Sequence, residues 1–483
     1  MKNYRKSAVF LLFGLVVLTV LACLPYAPQG PFDAKNYTRL AGMRVEQHPW
    51  TAVIEPFFAP LRIIAGSPDF RVEGPSVLIW VFVCAGAWGM FTELRKRKKK
   101  GALRVALAGI GSAFIATSSL MLLLFLFVIA RVPGWRLVVK DPNVIVADLH
   151  THTVISHDGL VSMLTNLKWH ASCGYDMVAL TEHNNLVAHQ VHGLKPSQLD
   201  RLPAFVSGIE VHAGPGAMAL GVCRNTGIQL GSTSDTASFV KKIHQGCGGA
   251  VFILPLKNLT AANVTRLVDD GVDGFEIANC GHPGLPPDLR REVLAASRSR
   301  GLVLLADTDW HGWTGLTRTW NVIKASGASG LSRSRRADVV LDKLREHDRA
   351  DFIPVVAGYM GRPSLARIIF APIVETIRYS MELSPARVIS WWTWAWAVFV
   401  LWIVIERKGF GAGDILLAVL VWITSVCLIV AGILQSMQGM GTTAFGFHVG
   451  LIAIGVGLLA LVIATVRGVG FLRRTDADHR KRG

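Results

Sequence analysis

The sequence predicts an α/β fold of seven strand–helix units, either an open sheet or a closed barrel, inserted between about six membrane-spanning segments. Hydrophobic residues make up 51% of the 483 residues and only 17% are charged, whereas a soluble domain is about 25% charged. Seven short apolar, β-branched runs alternate with helical patterns in the middle of the chain, and ionisable side chains follow most of those runs. These observations exclude a purely water-soluble enzyme.

Six apolar segments approach the roughly 20 residues that span a bilayer as a helix. They are residues 7–24, 75–91, 105–130, 389–405, 415–434 and 445–466. They divide the chain into an N-terminal membrane region (1–131), a barrel domain (140–360) and a C-terminal membrane region (364–483). Segment 7–24 follows a basic start, so a cleaved signal peptide is an alternative interpretation of it.

The basic residues lie beside these predicted spans. Of the net charge of +17, +14 falls in four stretches that border the spans, namely residues 1–6, 92–104, 406–409 and 467–483. The positive-inside rule therefore predicts cytoplasmic termini and an extracytoplasmic barrel domain. The remaining +3 is too small for a nucleic-acid footprint, so no nucleic-acid partner is expected. Cysteines 173, 223, 247 and 280 fall in the external domain, where disulfides are permitted, but spacing does not pair them.

The seven strand-like runs are residues 143–149, 176–181, 204–211, 217–222, 250–254, 274–278 and 301–306. Helical patterns fall between several of them, at residues 160–173, 236–246 and 287–300. This βα rhythm predicts a parallel sheet, open or closed.

Ionisable side chains collect where the predicted strands end, and 11 of the 15 histidines fall between residues 150 and 311. In a βα barrel those ends form the face that carries the active site. His150 and His152 form an HxH pattern, which puts two imidazoles on one face of a strand as a chelate for Zn, Mn or Fe. Together with Glu210, Asp309 and His311 on other strand ends, the pair suits a hydrolytic metal site.

Four motifs, in this order, resemble those of the PHP (polymerase and histidinol phosphatase) family. They are Asp148-Leu149-His150-Thr151-His152-Thr153 followed by Ser156-His157-Asp158-Gly159, Ala179-Leu180-Thr181-Glu182-His183-Asn184, Gly208-Ile209-Glu210-Val211, and Thr308-Asp309-Trp310-His311. The resemblance covers about residues 144–323. It implies a distorted seven-stranded βα barrel that holds two or three metal ions, in a family of which many members hydrolyse phosphoesters.

The resemblance also implies a ligand set. The positions that match the ligands of one ion are His150, His152, Glu210 and Asp309. Those that match the ligands of the other ion are Asp158, His183 and His311. The first motif has one residue more than its commonest form before Asp-Gly, so His157 is an alternative to Asp158.

Two family histidines are missing from this chain, one at Leu254-Pro255 and one within Gly216–Gly221. We therefore expect two divalent ions (Mn, Zn or Fe) rather than three, and the bridging role of Glu210 is in doubt. His212 shares a strand face with Glu210 and could partly compensate.

Further polar residues have expected supporting roles. The resemblance places a phosphate contact at Lys257, with Arg224 and Arg318 as weaker candidates. Asp148, Asp307 and Asn279 are expected to orient ligands. Surface positions are expected for the histidines that lie in helix or loop patterns, which are His170, His189, His192 and His244; His282, in a Gly/Pro-rich loop, receives no role.

The sequence thus predicts a membrane-anchored phosphoesterase that hydrolyses a phosphorylated small molecule or lipid by metal-activated water. A catalytically degenerate PHP-like module that binds or senses a ligand is the alternative, motivated by the missing histidines. A metal hydrolase acting on a non-phosphate bond is a third hypothesis.

The predicted topology has a direct test. Alkaline phosphatase fused after Gly361 should be active in cells, because that enzyme folds only outside the cytoplasm. An inactive fusion, expressed at the same level, would place the barrel domain in the cytoplasm.

Overall fold

The fold was analysed from a computed structural model. It describes residues 2–24, 30–65, 70–95, 101–131, 134–189, 195–214, 216–226, 235–256, 258–282, 284–312, 317–346, 349–358, 363–407, 412–439, 447–462 and 465. Lys257, the predicted phosphate contact, and His192 lie outside the described residues.

Twelve strands are present in the described residues. They are β1 (Phe32–Asp33), β2 (Met43–Gln47), β3 (Trp135–Val139), β4 (Val144–Thr151), β5 (Met177–His183), β6 (Ala204–His212), β7 (Ala217–Cys223), β8 (Ala250–Pro255), β9 (Gly274–Asn279), β10 (Val303–Asp307), β11 (Thr319–Lys324) and β12 (Phe352–Val356). Ten of them form one sheet in the order β1-β12-β11-β4-β5-β6-β7-β8-β9-β10, and β2 pairs with β3. The seven predicted strands correspond to β4 through β10.

The chain has the predicted α/β class, but its sheet is mixed, so the prediction of a parallel sheet is wrong in part. The runs β4-β5-β6 and β8-β9-β10 are parallel, whereas β7 is antiparallel to both of its neighbours and β11 is antiparallel to β4. Only residues 213–216 separate β6 from β7. A parallel crossover needs a dozen or more residues, so this connection can only make a hairpin.

The sheet curls until its last strand returns to β4. Asp307, at the end of β10, accepts hydrogen bonds from the Leu149 backbone N–H at 2.7 Å and from Asn321 Nδ2 at 2.6 Å. Thr151 and Trp310 form a parallel bridge just beyond. This curl places the carboxyl ends of β4 and β10 side by side.

The helices surround the sheet and extend from it. They are α1 (Lys2–Cys23), α2 (Glu55–Ala65), α3 (Phe70–Leu94), α4 (Ala102–Ala130), α5 (Met163–Cys173), α6 (Pro196–Leu199), α7 (Thr236–Lys242), α8 (Ala261–Asp269), α9 (Pro287–Arg300), α10 (Arg333–Arg345), α11 (Leu365–Ile369), α12 (Ala371–Met381), α13 (Pro385–Arg407), α14 (Ala412–Gly439) and α15 (Phe447–Val462). Four of them, α1, α3, α4 and α13, are long and apolar enough to cross a membrane. They coincide with the first four predicted spans, and α14 and α15 contain shorter apolar stretches at the fifth and sixth.

A buried group of ion pairs joins α2 to α12 and α13. Glu55 is fully buried and accepts hydrogen bonds from Arg387 and from the Tyr379 hydroxyl, the latter at 2.9 Å. Arg62 Nη1 lies 3.3 Å from the same carboxylate. Glu55 is therefore the common counter-charge of two arginines where α2 meets α12 and α13.

Glu55→Gln should strongly destabilise the protein. Removing one partner of a buried ion pair costs about 3–5 kcal/mol, because the remaining charge is left buried without a partner. Thermal unfolding of the full chain in detergent should show the midpoint falling by several degrees. Glu46→Gln is the matched control: its pair with Arg44 is exposed, so a loss of at most about 1 kcal/mol is expected. Equal shifts for the two variants would contradict the role of Glu55.

Candidate metal centre

The first predicted ligand set converges at the carboxyl ends of β4, β6 and β10. His150 Nε2 lies 3.1 Å from His152 Nε2, and these two atoms lie 3.6 and 3.4 Å from Glu210 Oε2. Asp309 Oδ1 lies 3.4 Å from His150 Nε2 and 3.3 Å from His152 Nε2. All four side chains are buried, with 0–8% of each exposed.

The second predicted set lies beside the first. His183 Nε2 is 3.3 Å from Asp158 Oδ1, His311 Nε2 is 3.4 Å from Asp158 Oδ2, and the two Nε2 atoms are 3.3 Å apart. His183 Nδ1 is 2.8 Å from Glu210 Oε2, so Glu210 lies between the two sets. His157, Asp158 and His183 also form a group that could hold an ion, and the choice between His157 and Asp158 remains open.

Hydrogen bonds fix the orientation of three of these imidazoles. The Nδ1 atoms of His150, His152 and His311 lie 2.9–3.1 Å from a carboxylate of Glu276, the hydroxyl of Ser156 and the Asp309 carbonyl, respectively. A carboxylate and a carbonyl can only accept, and the Ser156 hydroxyl donates its own proton to Glu182. Each Nδ1 therefore donates, which leaves each Nε2 lone pair directed into the centre.

This arrangement fits divalent ions. Two Nε2 lone pairs that face each other cannot form a hydrogen bond, but they can share a cation. In a tetrahedral site with metal–ligand bonds of about 2.0–2.2 Å, neighbouring ligand atoms lie about 3.3–3.6 Å apart. The separations of 3.1–3.6 Å in both sets are close to that spacing.

The carboxylates raise the affinity of the centre for cations and for protons. Burial alone would lower the pKa of His183, but the Asp158 and Glu210 carboxylates raise it to about 10. Burial alone would raise the pKa of Asp158, but hydrogen bonding to His183 and the charge of His311 lower it to about 2. A cation that binds at neutral pH must therefore displace a proton held by His183.

Asp148 braces the ligand strands and does not reach into the centre. Its carboxylate accepts hydrogen bonds from the Thr308 backbone N–H at 3.0 Å and from the Thr308 hydroxyl, and His170 Nε2 lies 2.8 Å away. His170 is fully buried, so its predicted surface position is wrong. Its helix, α5, packs that face against the barrel.

The predicted surface position of His189 is also wrong, because only 2% of its side chain is exposed and its Nε2 lies 3.4 Å from Glu182. Glu182 in turn holds the loop that carries Asp158. It accepts hydrogen bonds from the Ser156 backbone N–H at 3.0 Å and from the Thr153 hydroxyl at 2.6 Å. Glu182 is thus a positioning residue for this ligand loop.

Two residues of the centre, Glu276 and His282, received no role from the sequence, although the loop of His282 could be expected to reach the mouth of the site. Glu276, in β9, is buried, hydrogen-bonds His150 Nδ1 at 3.0 Å and accepts from Asn279 Nδ2 at 2.7 Å. Its only signal in the sequence is a carboxylate inside an otherwise apolar strand. His282 Nε2 lies 3.5 Å from Asp309 Oδ2, so its loop does reach the centre. Of the residues expected to orient ligands, Asn279 acts through Glu276, and Asp307 joins β10 to β4.

The two stretches in which the resemblance led us to expect further histidines lie side by side in the sheet. Met218 on β7 and Leu254 on β8 are register partners, so this corner of the sheet offers no ligand atom. His212, at the end of β6, is exposed and lies outside the ligand groups found among the described residues.

The two weaker candidates for a phosphate contact do not lie at the centre. Arg224 pairs with Asp342, and because β7 runs antiparallel to β6, Arg224 follows the end of β7 that is remote from Glu210. Arg318 is six residues beyond Gly312 in the chain. Its side chain is buried, and its guanidinium packs over the Trp135 ring.

Comparison with family models and with curated proteins finds no match. Among solved structures, an amidohydrolase from Chromobacterium violaceum with bound sulfate and no metal is 15% identical, over 46% of this chain and 99% of that chain, with a TM-score of 0.27. PsfC from Pseudomonas syringae PB-5123 is 12% identical, over 42% of this chain and 98% of that chain, also with a TM-score of 0.27. Similarity at this level assigns neither a family nor a function, and the resemblance to the PHP family stays a prediction.

Gly281→Ala should weaken metal binding. A Cβ atom at this position would lie 2.4 Å from Asp309 Oδ2 and 3.0 Å from Asn279 Oδ1, so the Asp309 carboxylate would have to move. Displacing such a ligand should reduce the affinity for Zn²⁺ or Mn²⁺ by about 10–100-fold, as measured by competition with a chelator. Gly330→Ala, where a Cβ meets nothing within 4 Å, is the control and should bind normally. Normal affinity in Gly281→Ala would argue against Asp309 as a ligand.

Proposed function

We propose that this protein is a membrane-anchored, metal-dependent phosphoesterase whose barrel domain lies on the extracytoplasmic side. The observation that carries the proposal is the convergence of seven imidazole and carboxylate side chains, with Nε2 atoms facing each other at 3.1 and 3.3 Å. Such mixed nitrogen and oxygen donors from several strand ends are typical of hydrolytic metal sites.

The chain's own residues have distinct roles in this proposal. His150, His152, Glu210 and Asp309 would hold one ion, and Asp158, His183 and His311 the other. Bound divalent ions activate water and neutralise negative charge on phosphoryl oxygens. Glu276 and Ser156 keep the Nε2 atoms of His150 and His152 directed into the centre, where they would hold an ion, and Asp148 holds β4 against the Thr308 loop.

The more exposed part of the centre is where a substrate would enter. The side chains of Asp158, His183 and His311 are 36%, 16% and 13% exposed, whereas those of the inner set are at most 8% exposed. His282 is also partly exposed, at 37%, and its Nε2 lies 3.5 Å from Asp309 Oδ2. Lys257 is kept as the proposed phosphate contact on the strength of the family resemblance alone.

The disulfide between Cys223 and Cys247 supports the proposed side of the membrane. Disulfides persist in oxidising compartments and are rare in the cytosol. The bond joins the end of β7 to the turn that follows α7, within the domain that we propose to lie outside the cytoplasm.

One observation favours a second candidate function, a ligand-binding or sensing module without catalysis. The Met218–Leu254 pair removes the donors that the family uses for a further ion. This candidate predicts bound metal without turnover on any phosphoester.

The purified full chain, loaded with Mn²⁺ or Zn²⁺, should hydrolyse p-nitrophenyl phosphate or its bis-ester. A catalytic ion contributes several kcal/mol to transition-state stabilisation, and about 1.4 kcal/mol is tenfold in rate. His150→Ala and Asp309→Ala should therefore each lower kcat/KM by at least about 100-fold. His212→Ala, which removes an exposed histidine of β6, should retain activity. Stoichiometric metal without turnover across monoesters and diesters would instead support the binding module.

A further inference from the structure

We propose that the metal centre lies at the membrane surface and acts on a phosphoester carried by a lipid of the bilayer. This inference rests on the proposed phosphoesterase function and names its substrate class. The chemistry to be recognised is a phosphate group, and the structure favours the membrane-borne source over a soluble one.

The loop that carries Asp158 is attached to the membrane helices. Leu160 follows Asp158 by two residues, and its carbonyl accepts a hydrogen bond from Gln435 Nε2 of α14 at 2.7 Å. Arg131, at the end of α4, hydrogen-bonds the side-chain oxygen of Gln435. The ends of two membrane helices therefore meet directly beside a ligand of the proposed second ion.

Apolar contacts also attach the ligand loops to the apolar helices. Leu160, Val161 and Trp310 belong to one buried cluster with Val449 of α15, and Phe125 of α4 packs against it. The Leu160 backbone N–H also donates to the His311 carbonyl at 2.8 Å. Both loops of the outer ligand set, which carry Asp158 and His311, thus rest on the ends of apolar helices.

Simple lengths place the centre close to the bilayer. Two residues of chain span at most about 7 Å, which limits the separation of Asp158 from Leu160. Gln435 lies four residues before the end of α14 at Gly439, which is about one helical turn or 6 Å. Asp158 is therefore at most about 7 Å along the chain from a residue that is hydrogen-bonded one helical turn before the end of α14.

The amphipathic segment formed by α11 and α12 provides an independent marker of the membrane surface. Its exposed side carries Ile369, Phe370, Ile373 and Ile377, each 42–51% exposed. The opposite side of α12 buries polar residues, including Glu375, which is fully buried and pairs with Arg367 at 2.6 Å. An apolar stripe on one side and a charged side held by the protein are typical of a helix that lies in the interface plane.

A chain of contacts links α12 to the cluster that holds both outer ligand loops. Arg378 of α12 donates a hydrogen bond to the Arg62 carbonyl, and Arg62 hydrogen-bonds Gln47. Gln47 is the register partner of Trp135, which belongs to the same buried cluster as Leu160 and Trp310. In this proposal the exposed side of the centre opens toward the membrane surface that these helix ends and α12 define. A lipid phosphate could reach that side while its acyl chains remain in the bilayer.

The proposed reaction is hydrolysis. The oxygen of water forms a bond to phosphorus, the bond from phosphorus to the lipid alcohol oxygen breaks, and that oxygen takes up a proton. A lipid phosphomonoester and water give the lipid alcohol and inorganic phosphate, and a diester gives an alcohol and a monoester. No oxidant, reductant or second substrate is needed.

The kinetic test uses the full chain in phosphatidylcholine nanodiscs, loaded with Mn²⁺ or Zn²⁺. Phosphatidic acid and phosphatidylglycerol in the discs are compared with glycerol 3-phosphate and glycerophosphoglycerol in solution. We expect the lipid esters to be hydrolysed at least about tenfold faster, at a rate that follows their mole fraction in the disc rather than their bulk concentration. Faster hydrolysis of the soluble esters would overturn the inference and leave the proposed function standing. No hydrolysis of either class by the metal-loaded chain would overturn both.

A second measurement does not depend on activity. A nitroxide side chain is placed by an unnatural amino acid either at His157, beside the centre, or at Lys324, whose register partner Val144 begins β4. Because β4 is eight residues long at about 3.3 Å per residue, the Lys324 label should lie roughly 20 Å farther from the bilayer. Power-saturation measurements in nanodiscs should place the His157 label within about 10 Å of the lipid phosphates. Two labels equally remote from the lipid would overturn the inference even if the chain is an active phosphoesterase.

Discussion

The structure depends on the mutual approach of imidazole lone pairs and carboxylates in one buried place. His150 and His152 direct Nε2 atoms at each other from 3.1 Å, and His183 and His311 do so from 3.3 Å. The buried Glu210 and Asp309 carboxylates add negative charge, so positive charge is required among these nitrogens. A proton on His183, whose pKa the carboxylates raise to about 10, supplies part of it, and a divalent ion would displace that proton. Divalent cations would both compensate the carboxylate charge and bind the imidazole nitrogens, so the ligands and the ions would stabilise one another.

The fold maintains this approach by local constraints around each ligand. Asp309 adopts a positive φ of 50°, a backbone conformation that costs energy for a residue other than glycine, and its N–H is held by the His150 carbonyl at 2.8 Å. Gly281 leaves the space that the Asp309 carboxylate occupies. Glu276 holds β4 through its contact with His150, and Asp148, which is itself on β4, ties that strand to Thr308. Backbone strain of this kind persists where surrounding contacts over-determine the conformation, as they do here.

The strands and the candidate ligands could be predicted from the sequence, because motif spacing and strand ends are local properties of the chain. It did not predict the direction of β7, although the four residues between β6 and β7 are too few for a crossover. Glu276 was missed because a single carboxylate in an apolar strand has no periodic signal, and its partner His150 is 126 residues away. The burial of His170 was missed for a related reason: its partner Asp148 is on a different element, and a helix pattern does not show which side packs. The attachment of the Leu160 loop to α14, 275 residues later, is likewise a property of the fold alone.

Calorimetric titration of the metal-free full chain with Zn²⁺ or Mn²⁺ tests the paired-ion centre most directly, if it is repeated at pH 7.5 in two buffers of different ionisation enthalpy. The carboxylates that raise the pKa of His183 to about 10 keep it protonated at that pH, so binding must release a proton to the buffer. We predict saturable uptake of about two ions per chain and an observed enthalpy that changes with the buffer. No saturable uptake, or the same uptake by a chain that carries both His150→Ala and Asp309→Ala, would contradict the account.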